Sequence, residues 1–316
     1  EFVYSRILFM ESIQVTKTRR QAVQNVGQIT KAMEVVAATK MRKAQEVALN
    51  SRPYAFEAIH LLEKLSKNAP LQTVLTAERP VKKTLLVIVA SDKGLTGAFN
   101  AQVARTTDRF LKSSSFTSEN LTLVAIGKKT TAYATKKKLN IAQNFYGVGD
   151  YVLPEEAEPI ARFLINGFQN NEWDKVIAIS THFKSALKQE TLVRQILPVD
   201  FDKIRETIKE IVPERGRYSD IIEGQKDTSG ETDYIFEPNP RTAIEFLIPH
   251  LVKLQIYHLI LEANASEHSA RRVAMKTASD NADDLVGALT LEYNKARQAS
   301  ITKELTEITS TQTALT

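Results

Sequence analysis

From Glu11 to Arg52 the chain carries a single glycine, Gly27, and no proline. Small or apolar residues recur there at Ala22, Val26, Ile29, Met33, Val36, Ala44 and Ala48, mostly at alternating spacings of three and four. That period predicts one stripe of a helix packed against another helix. Pro53 is a candidate kink, and Tyr54, Ile59, Leu62 and Leu65 continue the pattern to about Lys67, where Asn68, Ala69 and Pro70 read as a stop. At the other end Pro249 is the last proline and Gly287 the only glycine after Gly230. The stripe Ile244, Leu247, Leu251, Leu254, His258, Leu261, Ala265, Val286, Leu289, Tyr293 and Ala296 predicts a helix from about Arg241 to Ile308, on the order of 100 Å long. Neither helix can bury its stripe alone, so the two are expected to wrap as an antiparallel coiled coil. Ala265, Ser266, Ser269, Ala274, Ala278 and Ala282 would allow close approach, while Lys40, His258 and Arg272 fall at or near the seam.

Between the helices the period changes. Thr84 to Ala90, Leu121 to Ile126 and Lys175 to Ser180 are short, continuous, β-branched runs of the kind buried on both faces of a sheet. Helical patterns stand at about Asn100 to Lys112, Lys128 to Lys138 and Pro154 to Asn170, with further strands expected at Thr191 to Val199 and near Asp233 to Glu237. The fold class is α/β plus a long coiled coil, a Rossmann-like domain with a largely parallel sheet inserted between two terminal helices. The expected boundaries are 10–68 and 241–312 for the helices and 80–238 for the α/β domain. Glu206 to Glu231 is polar and reads as a surface excursion.

Composition narrows the chemistry. With 316 residues and 43% hydrophobic content the chain is long enough for one sizeable core or two small ones. No cysteine is present, which excludes disulfides, Cys-ligated metal and thiol nucleophiles. No stretch approaches the roughly 20 consecutive apolar residues of a membrane span. Glu1 to Met10 lacks the pattern of a signal peptide, and Met10 is a candidate start. The five histidines are scattered, and no carboxylate pair, Ser-His-Asp set or HExxH run has a spacing that needs catalysis to explain it. Ser91 to Gly97 and Gly127 to Thr130 each join a strand to a helix, where α/β proteins cradle phosphates, but both lack the P-loop and dinucleotide glycine patterns, and Asp92 would repel an anion. No cofactor or metal is expected.

The net charge of +5 is mild, so its placement matters more than its size. Thr16 to Arg52 holds Lys17, Arg19, Arg20, Lys31, Lys40, Arg42, Lys43 and Arg52 against Glu34 and Glu46. Lys17, Arg20, Gln24, Lys31 and Arg42 fall near one face. A solvated face, a nucleic-acid-binding arm and a surface for an acidic protein partner all fit, although a nucleic-acid site usually interleaves aromatics and this segment has none.

Ile29-Thr30-Lys31-Ala32-Met33-Glu34-Val35-Val36-Ala37-Ala38 and Tyr293-Asn294-Lys295-Ala296-Arg297-Gln298-Ala299-Ser300-Ile301-Thr302-Lys303-Glu304-Leu305 resemble the gamma subunit family of the F-type ATP synthases. Ser91 to Asn100, Ala265-Ser266-Glu267 and Val273 to Lys276 resemble the same family, and the similarity runs over nearly the whole chain from Met10. The resemblance implies a non-catalytic rotor shaft inside a ring of alternating alpha and beta subunits, coupling proton-driven rotation to ATP synthesis or hydrolysis. It implies further partners in the epsilon subunit and the membrane rotor ring, no nucleic acid, and a peripheral position on the cytoplasmic face of a bacterial cell membrane. By residue, it implies that Met33, with Lys31 beside it, faces an acidic lever of the beta subunit. It also implies that Arg297, Gln298 and Thr302 hydrogen-bond a beta-subunit loop and that Glu267 and Arg271 take part in coupling. Thr311-Gln312 replaces the family's small Gly-Ala pair, Thr96 stands where Cys is frequent and Arg272 where Met is common. The alternative reading is a coiled-coil nucleic-acid-binding protein, whose binding would fall steeply with salt.

Overall fold

The computed structural model describes residues 2–68, 72–113, 116–117, 119–150, 152–200, 237 and 239–313. The expected strand near Asp233 to Glu237 and the excursion Glu206 to Glu231 lie almost wholly outside them. The chain forms two compact units, one of Glu1–Val36 with Arg272–Thr316 and one of Ala37–Arg271.

The larger unit is built on a five-stranded sheet of order β3-β2-β1-β4-β5. Its strands are β1 (Thr84–Val89), β2 (Leu121–Ile126), β3 (Ile141–Phe145), β4 (Lys175–Phe183) and β5 (Gln189–Leu197). The first four are parallel and β5 turns back antiparallel on β4. β1 is buried at every position, as a central strand covered on both faces must be. β3 escapes a sequence reading because it is a polar edge strand with exposed residues at three of its five positions. Helices α2 (Phe99–Ser113) and α3 (Lys128–Lys137) cover one face over Leu86, Ile88, Val103, Leu123, Ala134 and Ile179. The other face carries α4 (Pro154–Gln169) and the unit's share of two long helices, α1 (Phe2–Asn68) and α5 (Pro240–Thr313). There Leu65, Ile160, Leu164, Phe168, Leu197, Ile248, Val252 and Ile260 are fully enclosed. Tyr54 Oη lies 2.6 Å from His250 Nε2, where α1 and α5 pass each other. Helix α1 continues through Pro53.

One glycine is dictated by a close approach. Gly127, at φ +94°, starts α3 so near β1 that a Cβ would fall 2.1 Å from the Ala90 carbonyl oxygen, a contact no other residue tolerates.

The smaller unit is a helix pair. Arg20 lies 5.1 Å from the Tyr293 ring centroid, and a Cβ on Gly27 would sit 3.3 Å from that of Ala282. Partner numbers thus fall as α1 advances, so the pair is antiparallel. Its seam differs from the apolar stripe expected of α1. The inward positions are Ile13, Thr16, Arg20, Val23, Gly27, Thr30 and Glu34, alternating by three and four, with Met33 of the expected stripe half-buried beside Glu34. Val26, Ile29 and Val36 are 53, 59 and 54% exposed, and Ala22 is exposed as well. The reason is geometric: a residue next to Gly27 is turned about 100° around the helix, so when Gly27 meets Ala282 its apolar neighbours are carried off the seam. On α5 the inward row Met275, Ser279, Ala282, Val286, Leu289, Tyr293 and Ala296 contains the expected Val286, Leu289, Tyr293 and Ala296. Of the small residues expected to serve helix contact, Ser266 and Ser269 instead bond the sheet domain, through Thr181 O at 3.4 Å and Ala186 O at 2.6 Å.

Candidate interaction surface

The outside of the helix pair carries large apolar side chains among its polar ones. Val15, Val26, Ile29, Val35 and Val36 on α1 and Val273, Leu285, Leu291, Ile301, Leu305 and Ile308 on α5 are each at least 40% exposed. The seam meanwhile mixes Val23, Met275, Val286, Leu289 and Tyr293 with the small or polar Thr16, Gly27, Thr30, Ser279 and Ala282, and Thr30 satisfies its hydroxyl on Val26 O and Gly27 O at 3.0 Å. Two amphipathic helices free in water would bury their largest side chains against each other. Eleven large apolar side chains left open along the pair are the kind of surface that suits contact with another macromolecule.

Five of the residues singled out in the sequence lie on this pair. Lys31 is exposed and paired with Glu34 at 2.9 Å, and Met33 beside it is half-buried. Arg297, Gln298 and Thr302 are exposed on successive turns of α5, with Thr302 Oγ1 donating to Gln298 O at 3.0 Å. The sequence reading missed the outward role of Val26, Ile29 and Val36. The available signal was the unbroken three-four alternation through Gly27 and Thr30, hidden because those residues are not apolar.

Glu267 and Arg271 sit in the larger unit, paired with each other at 2.6 Å and with little side-chain exposure, 7 and 11%. They belong to a stretch of α5 fastened along the carboxyl-terminal rim of the sheet. Asn264 Nδ2 donates to Val148 O at 2.9 Å, His268 Nε2 lies 3.0 Å from Asp150 O, and Arg271 Nη2 reaches Gly94 O at 3.4 Å. Lys40 of α1 bonds Asp150 at 2.6 Å. Doubly wound sheets ordinarily bind ligands at this rim, where strand order reverses, and here the chain's own helix occupies it. Backbone donors of the loops at this rim are likewise taken: Asp92 accepts from Lys128 N at 2.9 Å and from Gly147 N at 2.8 Å. Asn100 binds Ser91 N, Ser91 Oγ and Thr96 Oγ1, which locks the first loop.

Burial sets the charge states in this cluster. It raises the Glu267 carboxyl to about 7 against the pull of Arg271, with Asp92 and Asp150 adding to the rise. It pushes the His268 imidazole down to about 4, so the ring is neutral at pH 7. A second buried group ties α5 to β4 and β5: Glu262 lies 2.9 Å from Arg194 and 3.1 Å from His182. Burial opposes the Glu262 charge, but these two partners hold its pKa below the ordinary value. Among the described residues no group of three His, Asp or Glu could hold a metal ion.

Comparison with known proteins places these features. The family model described as ATP synthase matches residues 12–315. The ATP synthase gamma chain of Cupriavidus pinatubonensis is 39% identical over 295 residues, 93% of this chain and 96% of that one. The gamma chain of Geotalea uraniireducens is 37% identical over 302 residues, covering 95 and 98%. Among solved structures, a chain of the Euglena gracilis mitochondrial ATP synthase aligns with a TM-score of 0.62 at 19% identity, over 96% of this chain and 95% of that one. A chain of the Tetrahymena thermophila mitochondrial ATP synthase, described with its central stalk and c-ring, aligns with a TM-score of 0.56 at 24% identity over 79 and 99%. The matched span and these relatives cover both the helix pair and the sheet domain, and the chain belongs to the ATP synthase gamma chain family.

Proposed function

We propose that this chain is the non-catalytic rotor shaft of an F-type, proton-translocating ATP synthase, coupling rotation to ATP synthesis or hydrolysis in a surrounding ring of alpha and beta subunits. The observation that carries the reading is the run of large apolar side chains left exposed along the outside of the helix pair. A shaft inside a sleeve needs apolar contacts on its outside as well as in its seam. In this reading 10–68 and 241–312 supply the shaft and 80–238 the body that turns it. Met33 with Lys31 faces an acidic lever of the beta subunit, while Arg297, Gln298 and Thr302 meet a beta-subunit loop. The exposure of Lys31, Arg297, Gln298 and Thr302 supports that assignment. Glu267 and Arg271 act by fastening α5 to the rim of the sheet domain, so that torque on the body reaches the helix without slack. The remaining partners are the epsilon subunit and the membrane rotor ring, with the complex on the cytoplasmic face of a bacterial membrane. The family match favours this over a coiled-coil nucleic-acid-binding protein.

Reconstitution tests it. The purified chain is mixed with separately purified alpha and beta subunits, and assembly and ATP hydrolysis are followed together. A large complex with one copy of this chain, and rapid hydrolysis only in the mixture, is the expected result. Turnover by the chain alone, or no complex under conditions that assemble a known gamma chain, overturns the proposal.

A further inference from the structure

The layer formed by α2 and α3 has a surface that the shaft reading does not use. α2 turns Arg105, Arg109 and Lys112 outward, and α3 with the residue after it presents Lys128, Lys129, Lys136, Lys137 and Lys138, all exposed. The two helices lie on one face of the sheet over a shared core, so the eight cations share a rigid layer. The only carboxylate on either helix is Asp108. It is already engaged between them, accepting from Tyr133 Oη at 2.7 Å and pairing with Lys137 at 2.7 Å. From Asn120 to Gly149 the sequence has no Asp or Glu, and among the described residues the other seven cations form no ion pair.

The character of the face narrows what it meets. Among the described residues no large hydrophobic side chain of α2 or α3 is exposed, and the exposed aromatic beside α3, Tyr146, has its hydroxyl 3.1 Å from Thr131 Oγ1. A specific protein interface places apolar or aromatic anchors at its centre and charges at its rim, and this face has eight cations and a single aromatic beside it. A single-stranded nucleic-acid surface would add stacking aromatics. All five cations at α3 are lysines, compact charges on long flexible stems, without the planar fork arginine uses for fixed bidentate partners. Such an array suits a diffuse layer of fixed negative charge that requires no shape complementarity. We propose that the α2/α3 face is an electrostatic contact surface for anionic phospholipid headgroups. Such an attraction is screened within about 8 Å at physiological salt, so it holds the domain near a bilayer without fixing its orientation in the plane. The inference stands on this face alone and does not require the shaft assignment.

The test is co-sedimentation of the full chain with vesicles of phosphatidylcholine and phosphatidylglycerol in equal parts, against phosphatidylcholine alone. Binding to the anionic vesicles only, lost at high salt, is expected. The K128Q/K129Q/K136Q/K138Q variant should bind at least about tenfold more weakly. A variant neutralising as many exposed charges on α1, K17Q/R19Q/R42Q/K43Q, should bind within about twofold of the parent. The substituted side chains are all exposed, and an unchanged melting temperature confirms folding. Equal losses in the two variants would mean that net charge, not this face, drives binding, and would overturn the proposal. So would equal binding to neutral vesicles, or no vesicle binding alongside retention on polyglutamate or DNA that the α3 substitutions abolish.

Discussion

Replacing Val26, Ile29 and Val36 together by serine separates an outward apolar row from an inward one. These side chains are 53, 59 and 54% exposed. Fully burying such a residue contributes about 1.5–3 kcal/mol, and with slightly over half of each surface still open, about 0.8–1.6 kcal/mol per residue is available to a partner. The three together come to about 2.5–5 kcal/mol, or about two to three and a half decades in affinity at 1.4 kcal/mol per decade. Serine has a helix propensity close to that of valine and isoleucine, so α1 itself should be little affected. The V26S/I29S/V36S chain should therefore unfold within about 1.5 kcal/mol of the parent, as surface changes of up to about 0.5 kcal/mol each allow. Its assembly with alpha and beta subunits should weaken by at least about a hundredfold. Urea unfolding of the isolated chain and titration of the alpha and beta subunits by size exclusion measure the two quantities. If the isolated chain loses several kcal/mol, the residues line the seam after all. If assembly is unchanged, the exterior is not where the partner sits. Either result refutes the reasoning.

Two further predictions concern the larger unit. R194M leaves the buried Glu262 carboxylate without its closest cation, at 2.9 Å, and should lower the unfolding free energy by about 3–5 kcal/mol. R194M/E262M should recover most of that, and an R194M chain within about 1 kcal/mol of the parent in urea would show that the pair is not holding α5 to β5. Glu267 and His268 act oppositely on pH dependence. Glu267 rises from 4.5 to about 7 on folding, so its contribution is full below pH 4.5 and is lost as pH rises toward 7. His268 falls from 6.5 to about 4, so its contribution is full above pH 6.5 and is lost as pH falls toward 4. Between pH 5 and 6.5, E267Q should make stability rise more steeply with pH than in the parent, by about 1.4 kcal/mol per pH unit, and H268Q should flatten it by a similar amount. Parallel curves for all three chains would count against both assignments.

The elements were legible to different degrees for identifiable reasons. Strands β1 and β2 are continuous β-branched runs because both their faces are covered, and such runs stand out in any sequence. β3 has no such signature, since an edge strand with Gln143 and Asn144 exposed carries almost no hydrophobic pattern. The long helices were legible from the scarcity of proline and glycine, and the lower stripe of α5, Ile244 to Ala265, from its period. That stripe faces a true core, where apolarity and inwardness coincide. On α1 they part company. Gly27 and Thr30 line the seam while Val26 and Ile29 look out, because the close contact of Gly27 with Ala282 sets which side of α1 faces its partner helix. The contact candidates Lys31, Met33, Arg297, Gln298 and Thr302 came from motif likeness, and their exposure could not be read from composition.

The sequence by itself determined the two uninterrupted helices, the α/β alternation between them and the absence of thiol chemistry, since these follow from local periodicity and residue inventory. Only the tertiary structure decided which side of α1 faces its partner helix, that α5 fills the rim where a doubly wound sheet would hold a ligand, and that Glu267 and Arg271 point inward. Those outcomes depend on contacts between residues far apart in the chain, such as Gly27 with Ala282 or Arg271 with Gly94. A local hydrophobic pattern shows which residues gain by leaving water, and does not show whether the chain itself or another molecule takes them out of it.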